Sequence, residues 1–568
     1  MTAFDVECDV LVAGSGAAGL TAAVVARLHG LKPIVVEKAE QFGGTSARSG
    51  GWLWIPDNPQ GRAAGVEDSA AAARRYIQHE AGNAFDAETV DAFLAHGPAM
   101  VELLEAKTEV RFELGPAFSD YHAEAPGGLA GGRSICAQPY DGRALGAEIA
   151  RLRPPLREIT FIGMMIGSNR DLVHFFNCTR SWASARRVAV LLATYLGDLI
   201  RHGRPMRLTN GNALVARLAR SAMDLGIPIW TSSPVSGLIL DGERVAGATV
   251  GTAEGTKRIG ARRGVVLAAG GFPHDLDRRR GLYPHLKAGQ EHFSPTPESN
   301  TGDGIRMAEA VGGGTVSGYA NPAAWVPVSL VPHADGTQGR FPHFVDRQKP
   351  GLIAVARSGR RFVNEANSYH DFISGLLDAV PAGEAPCAWL ILDHATLRRY
   401  GVGFVKPFPV PYRHHVRSGY LKRGATLREL AAAAGIDASA LVETVARFNV
   451  GAERGEDPEF GRGTTAYNRY LGDANHKPNP CVAPIAVPPF YAVKVVPGDL
   501  GTFAGLRTDG QARVLGRDAR PIPGLYAAGN DMASVMGGAY PGGGITLGPA
   551  MTFAYVAARH MVGAEQSG

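Results

Sequence analysis

Residues 8–38 read CDVLVAGSGAAGLTAAVVARLHGLKPIVVEK. A short apolar run, Val10 to Val12, opens into Gly14-x-Gly16-x-x-Gly19. An alanine-rich stretch follows, and a second apolar run, Ile34 to Val36, ends at Glu37, eighteen residues after Gly19. This order predicts a strand, a helix beginning at Ala17 and Ala18, and a second strand. It is the dinucleotide-binding fingerprint in its full context. The first glycine permits a tight turn, the second lets backbone approach a pyrophosphate, and the third lets helix pack on strand. The helix N-terminus faces the phosphates, and the acid closing the second strand takes ribose hydroxyls.

The rest of the chain narrows the class. At 568 residues two or more structural units are expected. Glycine, 73 of 568, is nearly twice the usual ~7%, and it clusters in motif-like groups rather than repeats. A net charge of +5 without any run of five basic residues excludes a nucleic-acid footprint. Five scattered cysteines show neither metal-ligand spacing nor a CxxC pair, which fits buried free thiols in a reducing compartment and no metal centre. No apolar run reaches the ~18 residues of a membrane span, and the first residues run straight into a strand. The expectation is a cytoplasmic protein without a transmembrane segment.

A second glycine turn, KAEQFGGTSARSGG (38–51), directly follows the ribose acid. Here the sequence resembles the fumarate reductase and 3-ketosteroid dehydrogenase superfamily of FAD enzymes. RLTNGNALVARL (207–218), VVLAAGGF (265–272) and GLYAAGND (524–531) are similar to later family segments and follow in the family's order. The resemblance implies an α/β fold: a Rossmann-like FAD-binding domain with an inserted α+β catalytic domain. It implies cofactor contacts at Gly43, Gly44, Thr45, Ser46, Ser49, Gly50 and Gly51. Further contacts are implied at Lys38, Val235, Ala269, Gly270, Asp303, Gly529, Asn530, Gly544, Thr546 and Leu547. Family members with covalent FAD carry a histidine in the second glycine turn; none stands here, so non-covalent FAD is expected. The insertion is placed at 281–485, between a Pro/Gly/Asn-rich start (294–304) and KPNPCVAPIAVPPFY (477–491), with 1–280 and 486–568 as the FAD-binding parts. Residues 150–205 read as a helical, cap-like excursion.

RSGRRFVNEANSYHDF (357–372) carries the chemistry. Fumarate reductases have a similar RFVNE-like segment leading to a proton-delivering arginine; this chain has Tyr369-His370 there. That resembles the ketosteroid Δ1-dehydrogenases, in which a tyrosine after this signature is the base. GGAYPGGGITLGPAMTF (537–553) is similar to their C-terminal motif, which implies that the Tyr540 hydroxyl and the Gly544 N–H hold the ketone oxygen. FSDYHAEAPGG (118–128) is similar to their N-terminal active-site stretch and points to Tyr121.

The physics agrees with these roles. A C–H beside a ketone is far less acidic than a phenol of pKa ~10, and each unit of mismatch costs about 1.36 kcal/mol. Preorganised donors at the developing enolate oxygen, each worth about 3 kcal/mol, narrow the gap. A second phenol, Tyr121, donating to Tyr369 favours the phenolate. Tyr195, on the amphipathic stretch VLLATYLGDLI (190–200), is an alternative base if the excursion reaches the flavin. His370, His122 and Asp371 read as supporting residues.

The expected reaction is FAD-dependent Δ1-type desaturation of a cyclic ketone, either a 3-ketosteroid or a smaller cyclohexanone-like substrate. An external acceptor, a quinone or another carrier, would reoxidise the flavin. The alternatives are a fumarate- or urocanate-type enoate reductase and a non-enzymatic flavin carrier.

Overall fold

The computed structural model describes residues 4–288, 291–381 and 383–563. The fingerprint forms β1 (Val6–Ala13), α1 (Ala17–Leu28) and β2 (Pro33–Val36), with β1 parallel to β2. These strands belong to an eight-stranded sheet in which Gly255–Leu267 lies parallel to β1 and Ile229–Trp230 lies parallel to β2. Strand Pro521–Ala527, from the far end of the chain, pairs parallel to Gly255–Leu267. The C-terminal helix Leu547–Val562 is buried on every side from Leu547 to Ala558 and packs against α1, as a predominantly apolar helix does in a core.

A second, antiparallel sheet of six strands is built from residues 323–502. Its central strand, Phe490–Thr502, pairs with Ala323–Pro332, Ala388–Asp393 and Leu421–Gly424. Helices Leu427–Ala434 and Ala438–Ala452, turning at Gly435 (φ 70°), cover one face with their own apolar cluster. Because Phe490–Thr502 belongs to this sheet, we propose that the inserted unit runs through it rather than ending at residue 485.

The excursion over 150–205 is only partly helical. It holds a short hairpin (Thr160–Phe161 with Met164–Met165) and helices Asp171–Asn177 and Trp182–His202. It is tied by Arg207–Asp171 to the two-stranded pair of Arg207–Leu208 with Tyr140–Asp141, and to the inserted unit by the Arg399 bond to the Phe176 carbonyl. Among the described residues no helix is long and apolar enough to cross a membrane, and no group of acids, histidines and cysteines is placed to hold a metal.

Candidate active site

Three separate chain segments bring three phenols together. Tyr121 stands on a loop after the short strand Phe112–Leu114. Tyr369 opens the helix Tyr369–Ala379, and Tyr540 lies in the glycine-rich turn before the C-terminal helix. All three are buried. The Tyr121 hydroxyl donates to the Tyr369 oxygen at 3.1 Å. The Tyr121 and Tyr540 rings stack at 5.5 Å, and Tyr369 meets Tyr540 edge-on at 5.1 Å. Two further aromatic neighbours lie outside every motif read above: Tyr467, 4.4 Å from Tyr121, and Phe344, 5.3 Å from Tyr369.

Each phenol is anchored from behind. The signature before Tyr369 is a buried charge network: Arg361 pairs with Glu365 and Asp457, and Arg462 also reaches Glu365. Burial pushes the Glu365 carboxyl up, but Arg361 and Arg462 outweigh it and hold it below the usual range. Ser368 then caps the helix by accepting from the Asp371 N–H. Beside Tyr121, the Asp120 carboxylate accepts from Trp54 Nε1 and Arg133. The Tyr121 N–H donates to the Pro541 carbonyl, which joins the Tyr121 and Tyr540 segments directly.

The triple glycine is explained by its packing. A Cβ on Gly542 would meet the Trp54 indole at 2.6 Å, and one on Gly543 the Phe118 ring at 2.2 Å. At Gly544 (φ +104°) a Cβ would strike the backbone of Trp52 and Leu53 at 2.6 Å. These glycines let the turn press against strand Trp52–Trp54, where the Trp54 N–H donates to the Gly544 carbonyl at 3.1 Å. Close packing on protein demands glycine at 544. The Gly544 N–H meets no protein acceptor among the described residues.

The phenols are held in their neutral form. Burial pushes Tyr369 well above its ordinary value, Tyr540 adds to this, and the hydrogen bond from Tyr121 opposes it. Tyr121 is raised likewise, by burial first. Tyr540 is pushed up by burial to about 12, against the pull of the Tyr369 and Thr546 hydroxyls. The Tyr121 donor therefore offsets only part of the cost of a phenolate at Tyr369.

His122 and Asp371 take a more definite place than the sequence allowed. His122 Nδ1 lies 2.7 Å from Glu80 and Nε2 3.1 Å from Asp371, so it bridges the neighbours of both Tyr121 and Tyr369. Burial alone would lower its pKa; the two carboxylates outweigh that and raise it to about 10. His370, by contrast, accepts the Trp325 N–H at Nδ1 and is lowered by burial to about 4, so it is neutral.

The bridge has a measurable consequence. A histidine raised from ~6.5 in the unfolded chain to about 10 in the fold contributes stability that is complete below ~6.5 and lost as pH rises towards 10. Its side chain is 40% exposed, so the effect is modest. Melting temperatures of wild type and His122→Gln should converge between pH 7 and 10. Parallel curves would show that the bridge carries no charge. Turnover should fall by up to about 10²-fold through misplacement of Tyr121 and Tyr369.

Tyr195 is not brought to the phenols. It packs with Met164 and Leu191 in a separate cluster of the excursion and donates to the Ile162 carbonyl at 2.5 Å.

The cofactor candidates form a cradle lined by backbone. Gly14 (φ +111°) lies so close to Ala268 that a Cβ would overlap its carbonyl at 2.1 Å, and one on Gly19 would overlap the Gly14 carbonyl at 2.0 Å. The Ser46 hydroxyl accepts from Ala17 N–H, joining the two glycine turns. The N–H groups of Gly16, Gly44 and Thr45 meet no protein acceptor among the described residues. Unpaired N–H groups converging at a helix N-terminus suit a diphosphate, so the residues present fit FAD. Glu37 accepts from Ser15 and from the Ala39 N–H. Lys38 and Asp303, both expected at the cofactor, pair with each other. Val235 follows Ser232 and Ser233, whose N–H groups bond to Ala39 and Glu37. Ser49 accepts from Gly211, and Gly51 (φ +71°) abuts Asn210. Gly529, Asn530 and Thr546 line one cavity, with Leu547 starting the helix behind it. Asp531 went unnoticed in the sequence; it accepts from the Ala269 and Gly271 N–H groups and so sets the turn around Gly270.

Comparison with known proteins identifies the family. The family model described as FAD binding domain covers residues 9–547. The 4-oxocyclohex-2-ene-1-carboxylate 5-dehydrogenase of Sinomonas cyclohexanicum is 43% identical over 98% of this chain and 93% of its own length. A 3-oxosteroid 1-dehydrogenase of Mycobacterium tuberculosis is 39% identical over 99% of both. The crystal structure of 3-ketosteroid delta1-dehydrogenase from Sterolibacterium denitrificans, in complex with 1,4-androstadiene-3,17-dione, matches with a TM-score of 0.90 at 37% identity. It covers 98% of this chain and 100% of that one. A flavocytochrome c3 fumarate reductase, at 23% identity and a TM-score of 0.63, shares the fold.

Proposed function

The chain belongs to the FAD binding domain family, within the group of 3-oxosteroid and oxocyclohexene-carboxylate dehydrogenases, and from that premise we propose that it desaturates a cyclic ketone between its α and β carbons. The observation that carries this reading is the convergence of Tyr121, Tyr369 and Tyr540 beside an N–H, that of Gly544, with no protein partner.

The ketone oxygen accepts from the Tyr540 hydroxyl and the Gly544 N–H. Both donors are fixed before substrate arrives, because the turn that bears them is packed on Trp52–Trp54 and tied to Tyr121. Tyr369 takes the α proton at its phenolic oxygen, and the electron pair left behind moves towards the held ketone. Tyr121 keeps its donor on the Tyr369 oxygen, stabilising whatever negative charge that oxygen carries before the proton arrives. When bound, FAD supplies the acceptor for the hydride leaving the β carbon. The product is the enone. We propose that FAD is held non-covalently, since residues 43–51 contain no histidine, and that an external carrier such as a quinone reoxidises it.

A 3-ketosteroid and a cyclohexanone present the same unit to this cage, a ketone flanked by a CH2–CH2 pair. The two substrate classes are separated by experiment. Anaerobic titration should bleach the flavin absorbance with a saturated cyclic ketone; the panel should include a 3-ketosteroid, cyclohexanone and 4-oxocyclohexanecarboxylate. Absence of bleaching by every ketone, together with reoxidation of the reduced enzyme by fumarate, would establish the enoate-reductase alternative instead.

A further inference from the structure

Two arginines beside the glycine turns have neither the counter-charges of the buried Arg133, Arg361 and Arg462 nor the several backbone carbonyls that hold the buried Arg217 and Arg347. Arg133 pairs with Asp68 and Asp120, Arg361 with Glu365 and Asp457, and Arg462 with Glu365. Arg48 closes the single 3-10 turn Ser46–Arg48 that follows the second glycine turn. Its one bond is a long one, Nη1 to the Pro295 carbonyl at 3.3 Å. Arg153 reaches the same place from another segment: Phe42 N–H donates to the Arg151 carbonyl and Arg153 N–H to the Phe42 carbonyl, both at 2.9 Å. The Arg153 guanidinium meets no acceptor among the described residues, and neither arginine forms an ion pair there. Both are half-buried.

The pair is also electrostatically strained. Burial, and after it the Arg153 charge, lower the pKa of Arg48; burial lowers that of Arg153. The other charges felt at these groups are Glu37 at Arg153, and Glu158, Glu298 and Arg340 at Arg48. Two of those acids are already engaged: Glu37 by Ser15 and the Ala39 N–H, and Glu158 by His333 at 2.7 Å. Two arginines whose guanidiniums have no anion are therefore carried by segments that adjoin the turns whose Gly16, Gly44 and Thr45 N–H groups also lack acceptors.

We infer that Arg48 and Arg153 bind the diphosphate of FAD, completing with their charges the cradle that the backbone N–H groups begin. The inference rests on FAD as cofactor and is independent of the ketone chemistry, because neither arginine belongs to the segments that carry the three phenols. An anionic ligand at this position is favoured twice, by the N–H groups and by two charged donors.

The test compares wild type with Arg48→Gln, Arg153→Gln, the double variant and Arg153→Lys, all as full-length protein. FAD release on dilution of the holoenzyme is followed by the rise in free-flavin fluorescence. Each Gln substitution should raise the Kd for FAD by about tenfold or more, as loss of a charge-assisted hydrogen bond does. The double variant should also show a flatter dependence of Kd on salt, and Arg153→Lys should retain most of the affinity. Riboflavin, which lacks the diphosphate, should bind the FAD-depleted wild type and variants alike. An unchanged Kd for FAD in the double variant would overturn the assignment, as would equal weakening of FAD and riboflavin. So would an unchanged Kd accompanied by a raised KM for 4-oxocyclohexanecarboxylate but not for cyclohexanone, since the anion would then be a substrate carboxylate.

Discussion

Tyr540→Phe is expected to lower turnover by about 10²–10³-fold while the protein keeps its fold and its flavin. The substitution removes one of two donors at the ketone oxygen and leaves the ring that stacks on Tyr121 and meets Tyr369 edge-on. The hydroxyl is not part of the cradle formed by the glycine turns, so the flavin spectrum and FAD content should match wild type. Binding of a saturated ketone should weaken less than turnover falls, because a donor to an oxyanion acts most strongly when charge develops. A kcat within threefold of wild type would remove Tyr540 from the oxyanion site. The companion donor, Gly544, cannot be probed as cleanly. A Cβ there would strike the Trp52–Leu53 backbone at 2.6 Å with φ at +104°, so Gly544→Ala would disturb the turn before it tested the N–H.

The contrast between these two residues shows what a sequence can and cannot disclose. The βαβ unit was legible because its glycines answer local demands: a turn, a close approach and a helix packed on a strand within a few residues of each other. The helix pair Leu427–Ala434 and Ala438–Ala452 carries a signal of the same local kind, apolar spacing broken at a left-handed Gly435. Glycine at 542–544 was readable as a sign of close approach, but not what it approaches. Its partners, Trp54 and Phe118, lie more than four hundred residues away in the chain. The same limit applies to His122. Its neighbours Glu80 and Asp371 come from distant helices, and no spacing rule links residues 80, 122 and 371. Lys38 and Asp303 illustrate the converse. Each stands in a cofactor-like context, yet they satisfy each other across the two halves of the fold.

Tyr195 was a candidate only through the amphipathic stretch that carries it, whereas Tyr121 was one through the resemblance of FSDYHAEAPGG to a family segment. Helical amphipathicity tells only that a side chain faces something apolar. For Tyr195 that something is Met164 and Leu191 within the excursion; for Tyr121 it is the other phenols.

Tyr369→Phe should abolish turnover and, with it, solvent-deuterium exchange at the α carbon measured with the flavin already reduced. Both processes need the phenolic oxygen to accept the α proton, and Phe offers no acceptor. The environment makes this demand severe. Burial holds Tyr369 well above its ordinary pKa, and the 3.1 Å donor from Tyr121 offsets that only in part. The rate of proton removal should therefore rise with pH across the range in which the protein stays folded, since the phenolate fraction grows and never saturates below the raised pKa. Tyr121→Phe removes the opposing hydrogen bond but not the base, so it should leave slow exchange, reduced by about the same factor at every pH in that range. Tyr540→Phe should slow exchange and turnover in proportion, because both pass through charge on the same ketone oxygen. Tyr195→Phe should change neither by more than about threefold, since its hydroxyl is committed to the Ile162 carbonyl in a different cluster. If Tyr369→Phe kept exchange at the wild-type rate, the base would have to be another group within reach of the α carbon. Tyr121, already in contact with the Tyr369 oxygen, would then be the first to substitute in the same assay.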